Sequence, residues 1–335
     1  MKLKLYILLL GCCFFVPEMK AQDPIFTQYF LVPQTLNPGF AGFLETTHIG
    51  IVHRTQWPAL GFRIDTNYGF ASTWFAEANS GVGVSFLNQR ESQSGYTFSQ
   101  VNVNYAYQVQ LGDDWYFRPG LEFGRGWKNI GFQGLLLEDQ INIQANVINP
   151  TSIDALFFND GAIGFWDISA GLLFNTENAW IGISAKHLNR PNISLTVNGN
   201  VPLETFFSVS AGYEFIVTDM IDVRFLPFDT RLMITGNYMH QGRFNRFDLG
   251  TSLSVGRFFL GTTLVTNPGK NSGNSHLLTS VNAFTGLQYT NFRFGISYDF
   301  NTSQIGRTGG VYELSLTYQF DSEAKRCFGC PDYQD

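Results

Sequence analysis

From Thr97 to Val109 the chain alternates without a slip. Val101, Val103, Tyr105, Tyr107 and Val109 share one face, and Gln100, Asn102, Asn104, Ala106 and Gln108 share the other. A period of two is the mark of a strand with one apolar face, and this strand is long. Globular strands average about five or six residues, whereas a tilted strand needs about 9 to 11 to cross a bilayer. The last clear strand repeats the pattern, with Tyr312, Leu314, Leu316, Tyr318 and Phe320 opposed to Glu313, Ser315, Thr317 and Gln319. Alternation by itself serves a soluble sandwich equally well, because both need one apolar face. The remaining strands and the links between them have to decide.

Similar runs recur at about Thr46 to Arg54, Asp65 to Thr73, Gly81 to Asn88, Trp115 to Gly124, Trp166 to Phe174, Ala179 to His187 and Phe206 to Phe215. They continue at about Thr230 to His240, Arg246 to Gly256, Arg257 to Val265, Leu278 to Tyr289 and Phe292 to Phe300. The total is about fourteen, an even number, as single-chain bacterial barrels require. One set of links is mostly tight, such as Leu111 to Asp114, Asn175 to Asn178 and Thr290-Asn291; the alternate set is long, such as Arg125 to Phe165 and Leu188 to Thr205. Segregated short turns and long loops are expected of an outer-membrane barrel, with the short side facing the periplasm. Two links break the rule, Ile216 to Asp229 being long and Gln241 to Asn245 short. Pro119 falls inside a strand and calls for a bulge or strand end there.

Composition agrees with a half-oily protein. Only 14% of residues are charged, against about 25% in soluble domains, while aromatics reach 16%. The net charge of −6 gives no basic patch for nucleic acid. The N-terminus reads as a signal peptide over 1–21: Lys2 and Lys4, an apolar run from Leu5 to Val16, and a small residue, Ala21, at the cut. A lipidation box at Leu9-Leu10-Gly11-Cys12 is the lesser reading. Past residue 21 no apolar run approaches the roughly 18 to 20 residues of a membrane helix.

Cys327 and Cys330 remain after the signal, as a CxxC in the tail. Two ligands do not complete a structural zinc shell, and in an oxidising compartment a short-loop disulfide is the simpler reading. His48, His53, His187, His240 and His276 show no metal-protease spacing, and Ser322 to Lys325 matches a Ser-x-x-Lys string without its companion motifs. The reading is a non-enzyme without cofactor, catalytic set or metal site. Arg54, Arg63, Arg118, Arg231 and Arg246 are expected in the lumen or at the rims, because charge on the lipid face costs about 2 to 4 kcal/mol at mid-membrane. Phe26, Tyr29 and Phe30 have two readings: a lead-in packing its aromatics against the barrel base, which is favoured, or an amphipathic piece that plugs the lumen or docks a periplasmic partner.

Gln22 to Tyr29 (QDPIFTQY), followed by Leu36 to Gly42 (LNPGFAG), resembles the mature start of the PorP/SprF family, outer-membrane barrels of the type IX secretion system in the Bacteroidetes. The likeness continues at Arg54-Thr55-Gln56-Trp57, at Phe292 to Phe300, at Gly309 to Tyr318 and at Cys330-Pro331; at Pro33-Gln34-Thr35 the chain departs from the family's pattern. The resemblance implies a barrel in the cell outer membrane that helps export or hold a secreted surface protein with a type IX sorting domain, such as an adhesin or gliding-type substrate, or that serves as a scaffold of the secretion machinery. Periplasmic ring or lipoprotein components are further implied partners. A porin or small-solute transporter is the alternative. The expected organisation is a signal peptide at 1–21, a periplasmic segment at 22–45, a barrel at 46–320 and a periplasmic tail at 321–335. Both ends of the mature chain are expected on the short-turn side. Candidate partner-binding residues are Trp57, which also suits the interfacial aromatic girdle, and Leu135, Leu136, Leu137, Ile141 and Ile143. These apolar residues of the longest loop need cover.

Overall fold

The computed structural model describes residues 23–130, 140–142, 147–150, 162–195, 199–217, 227, 230–269, 277–302 and 308–320. Its strands are β1 (His48–Gln56), β2 (Ile64–Phe75), β3 (Ser80–Glu91), β4 (Thr97–Tyr107), β5 (Tyr116–Asn129), β6 (Ala162–Asn175) and β7 (Ala179–Lys186). They continue as β8 (Phe206–Ile216), β9 (Arg231–Gln241), β10 (Phe244–Val255), β11 (Phe258–Thr266), β12 (Leu278–Tyr289), β13 (Phe292–Asn301) and β14 (Val311–Gln319). Each pairs antiparallel with its sequence neighbours, and β1 pairs with β14 from His48 opposite Gln319 to Gln56 opposite Val311. The sheet is therefore a closed fourteen-stranded barrel, which leaves no edge unpaired.

The fourteen expected strands are all present, shifted by a few residues at their ends. β5 runs on to Asn129 and β6 begins at Ala162, so the longest link spans 130–161. The two irregular links recur: 217–230 is long on the side of tight turns, and Gly242-Arg243 is short on the other. Pro119 lies within β5. Pairing of β4 with β5 stops at Ala106 opposite Gly120 and resumes at Val109 opposite Phe117. The ladder lapses where proline has no N–H to give.

Alternation sorts the side chains by solvent. In β14, Glu313 is 0% exposed and its neighbour Leu314 is 54% exposed. The outward set includes Ile51, Val84, Phe86, Val101, Val103, Leu121, Phe123 and Ile296, an apolar belt for hydrocarbon. The inward set is polar: Asn104, Glu122, Asp167, Asp248, Asn282, Asp299 and Glu313 are all buried. Arg54, Arg118 and Arg246 point inward, while Arg63 and Arg231 lie exposed at the rims. Buried polar groups in a water-filled tube need explaining, and the N-terminal segment explains them.

Residues 23–43 lie inside the barrel. Phe26, Thr27, Gln28, Tyr29, Leu31, Val32, Leu36, Asn37 and Phe40 are each buried. The expected placement of 22–45 as a periplasmic segment is thus corrected. Asp23 sits beside His187 and Gln241, which lie at the long-link ends of β7 and β9. The N–H of Gly42 bonds Ser72 Oγ near the short-link end of β2. The chain descends the lumen over its length before entering β1, so its start lies at the opposite end from the one expected. The favoured lead-in reading gives way to the plug. No alternation marks this stretch because it forms no strand: Pro33 and Pro38 instead open two short 3-10 turns, Pro33–Thr35 and Pro38–Phe40.

Candidate functional site: the occupied lumen

A segment inside a polar tube must bond its backbone to the wall or to itself. Three clusters do this. The first surrounds Glu313 on β14, whose carboxylate accepts the N–H of Thr27 at 2.8 Å and of Gln28 at 2.9 Å. Arg54 of β1 pairs with Glu313 and stands 3.5 Å from Asp299 of β13. Thr27 Oγ1 donates to Asp299 at 2.8 Å, and Ser315 donates to Gln28 Oε1 at 2.6 Å. One arginine therefore balances the two carboxylates that grip the segment.

The second cluster fixes the middle and end. Asn37 donates from Nδ2 to the carbonyls of Leu172 and Ile183, at 3.0 and 3.2 Å, and accepts the N–H of Gly39 at 2.8 Å. Arg118, 1% exposed, donates to Gly39 O at 3.2 Å and Ala41 O at 2.7 Å and lies 5.0 Å from the Trp74 ring. Tyr29 meets Thr235 of β9 at 2.6 Å. The wall is carved to admit the backbone: a Cβ at Gly81 would stand 2.0 Å from Ala41 O, and one at Gly120 would stand 2.4 Å from Gly39 N. Hydrogen bonds thus reach β1, β2, β5 to β9 and β12 to β14, around the circumference.

The third cluster holds the start of the segment. His187 Nε2 meets Asp23 at 2.8 Å and its Nδ1 meets Asp167 at 2.9 Å; Gln100 also donates to Asp167, at 3.0 Å. Burial by itself would lower the imidazole's pKa, but the Asp23 charge and the hydrogen bonds His187 donates to both carboxylates outweigh it and raise His187 to about 9. Burial likewise opposes the Asp23 charge, yet His187, with Lys186 and Lys128 beyond, holds that carboxyl well below the usual range. The imidazolium is the charged link between segment and wall.

The residues singled out by sequence reasoning fall elsewhere. Trp57 turns the chain after β1 at φ 56°, with its N–H on Gly310 O at 3.0 Å and its ring 6.0 Å from Phe62. Ile141 pairs in a two-residue ladder with Ile148, and both are exposed. It is not brought together with Trp57. Leu135, Leu136, Leu137, Ile143, Cys327, Cys330 and the signal stretch lie outside the described residues. Sequence reasoning missed Asp23, Thr27, Gln28, Asn37, Asp167, His187 and Asp299 as a set. A signal existed: acidic residues at inward positions of membrane strands need a counter-charge or donor, and Asp299 and Glu313 both occupy such positions. Among the described residues, no group of three or more His, Cys, Asp or Glu side chains could hold a metal.

A closed barrel with an apolar outer belt and a polar, filled lumen defines an outer-membrane protein. The sequence matches the family described as "Type IX secretion system membrane protein PorP/SprF" over residues 18–318. This chain belongs to that family, and it is an outer-membrane barrel component of type IX secretion. No curated protein matches it. Among solved structures, the CymD monoaromatic hydrocarbon channel is similar in fold, at 14% identity and a TM-score of 0.50, covering 90% of this chain and 95% of that one. The outer-membrane protein Omp33 of Acinetobacter baumannii aligns at 9% identity and a TM-score of 0.46, covering 82% and 98%. A FadL homologue of Pseudomonas aeruginosa aligns at 10% and 0.44, covering 85% and 93%. Identities this low speak to the fold alone.

Proposed function

We propose that this barrel serves secretion as a protein-recognising scaffold, exporting or anchoring a secreted surface protein that carries a type IX sorting domain, and has no catalytic part in the process. The observation that carries this reading is the plug. Its backbone and side chains are bonded to ten strands at buried sites, so the lumen is given over to holding a segment and not to passing solute. Recognition then falls to the rims and loops. The link of 130–161, with Leu135, Leu136, Leu137, Ile141 and Ile143, and the Trp57 turn are the contacts we assign to the exported partner. A disulfide between Cys327 and Cys330 would stiffen the tail on the short-link side, where periplasmic ring or lipoprotein components approach.

Deletion of the gene tests the proposal. Loss of one or more type IX substrates from the cell surface, with bulk solute uptake intact, is expected. Excising 131–161 should leave a folded barrel that no longer retains the surface protein in a pull-down from detergent extracts. Normal surface proteins with impaired uptake of a nutrient would favour the transporter reading instead.

A further inference from the structure

Charge at a lipid-facing strand position is costly at mid-membrane and tolerated only near the borders. Most strand cations avoid that face altogether. Arg54, Arg118, Lys128, Lys186, Arg246 and Arg293 sit at inward positions, and Arg231 projects at the short-link rim, paired with Glu214. Arg90 of β3 and Arg125 of β5 are the exceptions, sharing the outward parity of Phe86 and Phe123. Both lie toward the long-link ends of their strands, where the outward face changes character. Below the change it is apolar, with Val84 and Phe86 on β3, Val101 and Val103 on β4, and Leu121 and Phe123 on β5. Above it come Asn88 and Arg90, Ser99 and Thr97, and Arg125, Trp127 and Asn129. Phe86 pairs with Val101 and Val101 with Arg125, so the change falls at one level across three strands. Such a line, marked by tryptophan, is where hydrocarbon gives way to headgroups.

Arg125 has a seat on this line. Its guanidinium lies 4.7 Å from the Trp166 ring and 6.0 Å from the Trp127 ring, and Phe123 stacks on Trp166 at 5.2 Å. Gly164 of β6, paired opposite Trp127, leaves the room: a Cβ there would stand 2.8 Å from Arg125 Nη2. The rings hold the cation but accept no hydrogen bond from it. Among the described residues its N–H donors find no acceptor, whereas the inward Arg118 and Arg246 are bonded to carbonyls or a carboxylate. β3 to β6 place no carboxylate on the outward face. Asp65, on β2 opposite Arg90, is already bonded to Arg63 and Thr55, both at 2.9 Å. Glu91 turns into its own loop and accepts the N–H groups of Gln93 and Ser94. A guanidinium with no acceptor at the edge of hydrocarbon calls for an anion.

We propose that Arg125, seated between Trp127 and Trp166, binds the phosphate of an anionic lipid in the outer leaflet, with Arg90 as a second and weaker contact. Position and charge together name this occupant. The seat lies on the lipid side of the wall, so its guest carries acyl chains into the belt of Phe86, Val101 and Phe123. Phosphate suits the planar fork of a guanidinium, which can donate two parallel N–H bonds to it. The long-link side faces outward, which places the lipid in the outer leaflet. A lipid held there fixes the depth of the barrel beside the longest link. This inference concerns the outer wall and is independent of what the loops recognise.

The test uses the full mature chain in a neutral detergent and two lipids with the same acyl chains, dioleoyl phosphatidate and dioleoyl phosphatidylcholine, with lipid adducts followed by native mass spectrometry. Phosphatidate should bind about tenfold more tightly than phosphatidylcholine. Arg125→Gln should erase most of that preference, Arg125→Lys should retain part of it, and Arg90→Gln should lower it less. Gly164→Ala keeps every charge but crowds the guanidinium out of its seat, so it should also lower the preference. Arg243→Gln, at an exposed arginine of the Gly242-Arg243 link, removes the same charge elsewhere and should leave the preference unchanged. Where Arg125→Gln fails to assemble, Arg125→Lys and Gly164→Ala carry the decision against the same control. Equal affinity for the two lipids, a preference undiminished in the folded Arg125 variants, or a loss in Arg243→Gln as large as theirs overturns the proposal. Displacement of phosphatidate by millimolar inorganic phosphate also overturns it, since that would mark a general anion site and not a lipid seat.

Discussion

Arg54 is the residue on which the first lumen cluster turns, because it alone of the described cations pairs with Glu313 and Asp299. Arg54→Ala would leave two buried carboxylates without their ion-pair partner, and breaking such a pair costs about 3 to 5 kcal/mol. Arg63, more than half exposed at 53% beside Asp65, should cost under about 1 kcal/mol on the same change. Urea midpoints in detergent distinguish the two. At the other end of the plug, the sign of the pH dependence follows from His187 and Asp23. His187 is raised from 6.5 to about 9, so its contribution is complete below about 6.5 and is lost as pH rises through 9. Asp23 is lowered, so its contribution holds above the ordinary carboxylate range and disappears only in strong acid. Lys128, Lys186, Tyr96, Gln100, Asp167 and Glu122 surround the pair. The gap in thermal midpoint between the wild type and His187→Gln should be widest near pH 5 to 6 and close by pH 10. A gap that stays constant over this range would mean that the latch is not ionic.

Among elements, β14 states the design most plainly, since one strand supplies both the lipid face and the grip on the plug. Tyr312 and Leu314 are exposed outward; Glu313, Ser315 and Thr317 are buried inward. Leu316 shares the parity of Leu314, and Leu316→Arg should cost about 2 to 4 kcal/mol near mid-membrane, where no water compensates the charge. Heat-modifiable mobility on denaturing gels, read as the temperature at which the compact form is lost, measures it; Gln319→Arg at the strand's exposed end is the control and should leave that temperature nearly unchanged. This face assignment was legible in the sequence, as were all fourteen strands, because a two-residue period is a local property that lipid enforces on every strand. Strand ends were less legible. β5 and β6 outrun their apolar alternation because their inward residues Lys128 and Phe165 pack together, the ammonium 5.8 Å from the Phe165 ring. Only the pairing of two strands distant in sequence creates that contact.

At the scale of the molecule, the plug decides what the barrel is for. Removing 23–43 should turn a poorly conducting protein into an open pore in planar bilayers, provided the barrel still assembles. A conductance equal to that of the intact chain would deny the plug its blocking role. The alternation, the sided links and the thin charge content determined from sequence that this chain is a fourteen-stranded membrane barrel, because each of those features answers to the solvent beside one strand. The N-terminal segment carries no such periodic signal. Its residues bond to Glu313, Asp299, Asn282 and Thr235 more than 200 positions away. Whether Asp23 lies in the periplasm or beneath the outer rim depends on closing β1 against β14 around it, and that closure is a property of the whole circle of strands. The tertiary structure alone could therefore place the plug and pair His187 with it.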